Sequence, residues 1–292
     1  MIETKDYWIV DNKFIFKPEF NSSIDVYIDL ISQFNELIFS NYDDVNLCIK
    51  TNNKNNLKCK ISIFNKKVIL PQNLTHLTFG EYFNQKVELP KNLLNLTFGH
   101  QFNQEVALPE NLLNLTFGNN FNHPVELPEK LLNLTFSEKF NHPVELPGNL
   151  LNLTFGWYFN HPVILPEKLL NLTFGYEFNQ KVDLPVSIKY LCLNSSNNII
   201  DYLPHGIEEL VLGFYFNSEL NNLPNSIKKI VFNDNDIYNC KLNCLPNSVE
   251  LIVLPRYYKL KIDKIPKNLK KIKCSKDYQF IKDFIDIEIE YY

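Results

Sequence analysis

Two cysteines four residues apart, Cys240 and Cys244, and three histidines at intervals of nineteen, His123, His142 and His161, come nearest to metal chemistry by type and spacing. A zinc centre needs about four thiolate or imidazole donors converging on one point, with spacings such as CxxC. No CxxC or neighbouring His completes the cysteine pair. Each of the three histidines precedes a proline, and Gln104 and Gln180 fill the equivalent positions elsewhere. A solvated turn column is expected, with no metal and no cofactor. Asn95, Asn114, Asn133, Asn152 and Asn171 open Asn-Leu-Thr triplets, the glycosylation acceptor pattern, and Asn73 matches it separately. With no apolar leader near the start, these triplets read as the by-product of a repeat. No Ser-His-Asp or Cys-His grouping, no HExxH and no glycine-rich phosphate loop is present, so no catalytic residue is assigned and no enzyme is expected.

What positions these residues is a period of nineteen. Leu-Pro begins at Leu70, Leu89, Leu108, Leu127, Leu146, Leu165, Leu184 and Leu203, then continues at Leu223, Leu245 and Ile265 with steps of 20, 22 and 20. Phe-Asn keeps the same beat from Phe64 to Phe178 and returns at Phe216. Nineteen residues are too few for a helix pair and suit one strand with a tight return path. Leu96 and Phe98 alternate with Asn95 and Thr97, the period-two mark of a strand with one buried face. Eleven of the 16 prolines occupy this one repeating position, where a residue with fixed φ and no N–H excludes a long helix.

A lone coil cannot bury Leu93, Leu96, Phe98, Phe102, Val106 and Leu108, but coils stacked ~4.8 Å apart can. The expected fold is mainly β: a leucine-rich-repeat-like, right-handed solenoid of about 19-residue coils with a parallel β-sheet on one face. Phe98 to Phe174 should form one aromatic column and Phe102 to Phe178 a second. The Asn of Phe-Asn should satisfy backbone groups in a turn and ladder with the next coil.

The pattern LPxxLxxLxFGxxFN resembles the FNIP repeat, a short leucine-rich-like repeat of social amoebae and amoeba-infecting giant viruses. The family's Ile-Pro survives only as Val, or as His-Pro-Val at His123, His142 and His161. The likeness runs closely through 64–232 and loosely through 233–279. It implies a solenoid and no enzyme. Relatives often carry an N-terminal F-box, which implies an alternative role as substrate-recognition subunit of a ubiquitin ligase.

The organisation expected is an N-terminal cap with degenerate repeats over 1–63, a solenoid over 64–279 and a capping strand over 280–292. At the front, Phe16, Phe20 and Asn21 have the spacing of Phe98, Phe102 and Asn103, and Leu30 to Tyr42 overlays the coil from Leu89. A helix from Ser23 to Phe39 is the rival reading and would leave room for an adaptor-binding module.

Net charge is −4, so no global field draws the chain to nucleic acid or membrane. No run approaches the ~20 apolar residues of a membrane span. The six cysteines show no paired framework, which points to reduced thiols in a cytoplasm, the host's if the protein is viral. Nine basic residues against one acid lie between Arg256 and Lys276, but no aromatic-basic motif accompanies them, which argues against nucleic acid.

Function is therefore sought on the outward strand face. Its Asn/Thr ladder changes after Leu184 to Tyr190, Cys192, Val211, Lys229, Val231, Leu251, Val253, Lys271 and Lys273. Apolar residues framed by charge suit a protein partner. The expectation is a non-enzymatic protein–protein interaction scaffold, with a structural protein as a further alternative.

Overall fold

The computed structural model describes residues 1–42, 61–233 and 237–292. Residues 43–60 of the expected N-terminal cap, with Cys48 and Cys59, lie outside the described residues. The chain forms two compact units, 1–150 and 151–292.

In the first unit the strands are β1 (Ile2–Glu3), β2 (Tyr7–Val10), β3 (Lys13–Phe16), β4 (Glu36–Phe39), β5 (His76–Thr78), β6 (Asn95–Thr97), β7 (Asn114–Thr116) and β8 (Asn133–Thr135). β1, β2 and β3 pair antiparallel, and every pairing from β3 to β8 is parallel. Asp11 and Asn12 turn the β2–β3 hairpin with φ of 48° and 63°, the left-handed pair that a two-residue hairpin requires and that Asp and Asn tolerate. The stretch Ser23 to Phe39 is not one helix. It holds a 3-10 turn at Asp25–Tyr27, a four-residue helix α1 (Ile28–Ile31) and then β4, whose Glu36 pairs with His76.

The second unit contains β9 (Asn152–Thr154), β10 (Asn171–Phe174), β11 (Tyr190–Ser195), β12 (Glu209–Tyr215), β13 (Lys229–Phe232), β14 (Leu251–Val253), β15 (Lys271–Cys274) and β16 (Glu288–Tyr291). All are parallel and pair in chain order. Both units are thus built from stacked coils of about nineteen residues, the leucine-rich-repeat-like solenoid expected from the period.

One coil shows how the sequence turns two corners. Pro90 accepts from Leu93 N–H at 3.3 Å, closing a turn directly after Leu-Pro. Asn95–Thr97 then runs as a strand with Leu96 inward. Gly99 accepts from Phe102 N–H at 3.2 Å, closing the second turn. Gly99 is needed for closeness and not for φ: a Cβ there would lie 1.9 Å from the Gly80 carbonyl oxygen. Where Ser137 replaces it, the buried hydroxyl donates to the Phe121 carbonyl and accepts from Phe140 N–H.

The Asn of Phe-Asn forms a spine. Asn84, Asn103 and Asn122 each donate their backbone N–H to the side-chain oxygen of the Asn one coil earlier, at 2.9 Å. The same bond joins Asn179 to Asn160 in the second unit at 3.1 Å.

The core consists of Leu93, Leu96, Phe98 and Phe102 and their equivalents, all buried. Val106 and Leu108 stay partly exposed, so this coil buries four of the six apolar side chains, although Leu70, Leu165 and Leu203, at the place of Leu108, are buried in theirs. The tightest ring contact lies inside a coil: Phe98 stacks on Phe102 at 3.9 Å, and Phe117 on Phe121 at 4.0 Å. Between coils, equivalent rings lie 5.8 to 6.2 Å apart and nearly parallel. Replacing Phe102 by Ala removes one partner from three such contacts and leaves a cavity. It should cost ~3–5 kcal/mol, measured by urea denaturation followed by circular dichroism, and a loss under 1 kcal/mol would contradict the stacked-pair core.

Candidate functional site

The outward face of each strand carries two side chains, one before and one after the buried centre. Parallel register turns these into two columns. In the first unit the leading column is His76, Asn95, Asn114 and Asn133 and the trailing one is Thr78, Thr97, Thr116 and Thr135. The amides run as a ladder, Asn114 donating to Asn95 and Asn133 to Asn114. The side chains are half-buried, and the ladder presents one chemistry throughout.

In the second unit the same register brings together all nine residues singled out on the sequence. The leading column reads Tyr190, Glu209, Lys229, Leu251, Lys271 and Glu288; the trailing one reads Cys192, Val211, Val231, Val253, Lys273 and Glu290. Two departures matter. Cys192 and Val211 are each only 7% exposed, so they do not form an open apolar surface, whereas Val231 and Val253 remain partly exposed. The Tyr190 phenol lies within hydrogen-bonding reach of Cys192 and Thr173, and burial pushes it up to about 12. Burial likewise pushes the Cys192 thiol up to about 11.

The lysines are also engaged. Lys229 pairs with Glu209 at 2.7 Å, Lys271 with Glu288 and Glu290 at 2.8 Å each, and Lys273 with Glu290 at 2.6 Å. Lys270 pairs with Glu250 and Lys261 with Asp283, while Arg256 and Lys273 lie over the Tyr292 ring. Much of the basic run is therefore neutralised within the chain. The acidic partners Glu288 and Glu290 belong to the site and were legible only as an alternation of acidic and apolar residues in "IEIEYY".

The histidine column is a turn column. His123 and His142 ring nitrogens meet the backbone oxygens of Asn103 and Asn122 at 3.2 and 3.1 Å. Among the described residues no group of three His, Cys, Asp or Glu is placed to hold a metal ion.

The period, the Phe-Asn spine and the strand register now meet the comparisons. A family model described as FNIP Repeat matches residues 64–101, 102–139 and 140–177, three tandem units of two coils each. Residues 64–177 are FNIP repeats. A solved structure titled "The crystal structure of CroV588 a novel circular LRR protein structure", from a giant virus, is 24% identical with a TM-score of 0.59. The match covers 98% of this chain and 60% of that one, so this chain spans about three-fifths of its length. YopM from Yersinia enterocolitica WA-314 is 20% identical over 73% of this chain and 57% of its own, with a TM-score of 0.47. No curated protein matches the sequence.

Two outcomes follow from the charge and burial at this face. Glu290 is held down to about 2, chiefly by hydrogen bonds from Lys271 and Lys273, against an ordinary 4.5. Its contribution is therefore complete above pH 4.5 and is lost as pH falls through about 2. The Tyr292 ring resonances should move toward free tyrosine across that window, and Glu290→Gln should reproduce the shift at neutral pH. Insensitivity to both would remove the ion network from the cap. The second outcome concerns thiols. At pH 8, iodoacetamide should modify exposed Cys244 in the folded protein while buried Cys192 stays unmodified, read by peptide mass spectrometry.

Proposed function

We propose that this FNIP-repeat chain is a non-enzymatic protein–protein interaction scaffold, binding a protein partner through the outer strand face of its second unit. The observation that carries this reading is the pair of columns from Tyr190 to Lys273, where neighbouring coils present different side chains at equivalent positions. Specificity needs such differences, and an amide ladder repeated unchanged offers few. Tyr190 and Leu251 are the anchors, one aromatic and one aliphatic, with partly exposed Val231 and Val253 beside them. Lys229, Lys271 and Lys273 act with their glutamates as paired charges that fix orientation, in place of a bare basic surface that attracts acid. No helix among the described residues is long and apolar enough to cross a membrane, and the four described cysteines are unpaired thiols. Both are compatible with the cytoplasmic setting proposed here, the host's cytoplasm if the protein is viral.

The test uses proximity labelling in the native cell, comparing partners of the unmodified chain with those of two double variants. Tyr190→Ala with Leu251→Asp should reduce labelling of the main partner about tenfold or more, the effect of removing two anchors. Thr116→Lys with Thr135→Lys, placed on the uniform ladder, should change it less than twofold by the same measure. The reverse ranking would assign binding to the ladder instead. Equal retention in both would remove the outer strand face from partner recognition.

A further inference from the structure

The two residues between Gly and Phe in each Gly-x-x-Phe turn form another stack, past the C-terminal end of the short strands and, at Phe214 and Tyr215, in the last residues of the longer β12. In the first unit this stack is polar except for exposed Tyr82, and much of it pairs with itself. His100 lies 3.6 Å from Glu81, Asn119 donates to Glu138 at 2.8 Å, and Asn120 donates to Gln101 at 2.9 Å. The repeat therefore accepts polar side chains here without cost to its core.

The second unit replaces them with rings. Trp157 meets Tyr176 at 4.6 Å and 83°, Tyr176 meets Tyr215 at 5.2 Å and 78°, and Tyr215 meets Phe214 at 4.7 Å and 80°. The coil between Tyr176 and Tyr215 has only Ser195 and Ser196 at these positions, and Tyr215 reaches past Ser195, its register partner, to touch Tyr176. Trp157 is 48% exposed and Tyr215 55%, although large aromatics exposed next to one another are uncommon on a surface with nothing to bind. Among the eight turn positions 157, 158, 176, 177, 195, 196, 214 and 215 there is one charge, Glu177, and no Lys, Arg or His. Glu177 is exposed and donates its backbone N–H to the Trp157 carbonyl at 2.9 Å, which puts the acid on the turn that stacks on that of Trp157.

Electron-rich ring faces, with Glu177 as the one charge among these eight positions, select a positive charge. Rings set perpendicular to one another favour a flat cation that can lie on one face while its N–H edge turns to the acid, which is the geometry of guanidinium and not of ammonium. We propose that the Trp157–Tyr176–Tyr215 row, with Glu177, docks an arginine-bearing basic peptide segment of a partner protein. This site is separate from the outer strand face and stands or falls independently of it.

The chain contains two tryptophans, of which Trp8 is only 4% exposed and Trp157 is open. Nuclear magnetic resonance of the nitrogen-15-labelled full chain therefore has a built-in reporter and a built-in fold control. Titration with an amidated heptapeptide of alternating Gly and Arg should shift the Trp157 indole N–H saturably and leave the Trp8 signal in place. Tyr215→Ala should weaken binding about fivefold, the size of one exposed cation–π contact, and Glu177→Gln should weaken it while an unchanged Trp8 signal reports an intact fold. Because the chain is acidic overall, a shift that fails to saturate, or that survives Tyr215→Ala unchanged, would mean diffuse attraction and overturn the proposal. An equal response to the Gly-Lys, Gly-Pro or Gly-Glu counterpart, or to cellohexaose, would overturn it as well. So would a Trp157 signal that moves on dilution of the protein alone, which would assign the row to a second copy of the chain.

Discussion

Each coil is organised around two phenyl rings lying face to face, Phe98 on Phe102 at 3.9 Å, across a turn only three residues wide. A ring pair of this kind has one covered face per ring inside its own coil; the remaining surface is covered only when another coil sits above and below. That requirement holds equivalent side chains of successive coils in line, with the Asn spine joining Asn103 to Asn84 and Asn122 to Asn103. A longer coil must take up its extra residues in a turn, as the 22-residue step does while Asn239 still donates to Asn217 at 3.1 Å. Gly99 belongs to the same constraint, since stacking at strand spacing presses its Cα against the Gly80 carbonyl. Ring pair, spine and glycine are three expressions of one condition: the backbone of every coil must lie directly on the last.

The later coils show how far that condition stretches. Where the Phe-Asn beat falls silent after Leu193, a 3-10 turn at Asn198–Tyr202 inserts Ile199 and Ile200 into the core, and Asn197 caps it while donating to the Phe178 carbonyl at 3.0 Å. Steps of 20 and 22 follow. The second position keeps Phe216, then becomes tyrosine from Tyr238, which packs on Phe232 at 4.4 Å, while Leu254 and Cys274 replace the first ring beside Tyr258 and Tyr278. Tyr258 and Tyr278 keep the stack at 6.1 and 6.2 Å. Their hydroxyls, buried with the ring, donate to the carbonyls of Cys240 and Leu260 at 3.1 and 2.9 Å. A buried hydroxyl without a partner would cost more than the ring gains in packing, so the longer turns and the tyrosines belong together.

How much of this was legible in the sequence depends on whether the period carried it. Leu96, Phe98 and Phe102 repeat without a break as far as Phe178, so the strand, its buried face and the stacking direction could all be read from one coil. The nine outer-face residues likewise fell in register because Tyr190, Lys229, Leu251 and Lys271 hold the same place in their coils. What the period did not carry was missed. Lys271 and Lys273 meet Glu288 and Glu290 across a step of seventeen residues, shorter than any step in the array, so the bare basic end on the sequence is a paired one in the fold. Cys192 and Val211 alternate as outward residues should, yet the six- and seven-residue strands β11 and β12 bury them. Alternation assigns a side to a residue; it does not say what covers that side. The Tyr238, Tyr258 and Tyr278 column escaped notice because the beat was followed through Phe-Asn alone.

The pairing of charge along the outer face bears on what kind of recognition it supports. A lysine already held by two carboxylates, as Lys271 is by Glu288 and Glu290, offers an incoming acid little net attraction and would have to break existing bonds to accept it. Exposed pairs of this kind contribute little to stability, but they hold long side chains in one geometry, which lowers the ordering cost of binding between them. Leu251 sits in that frame, with Lys229 on one side and Lys271 on the other in the same column. A partner that reads this face must match fixed charges around an apolar centre. On the binding role proposed above, the face discriminates by arrangement, while the uniform amide ladder of the first unit keeps its backbone stacked and offers no comparable differences to read.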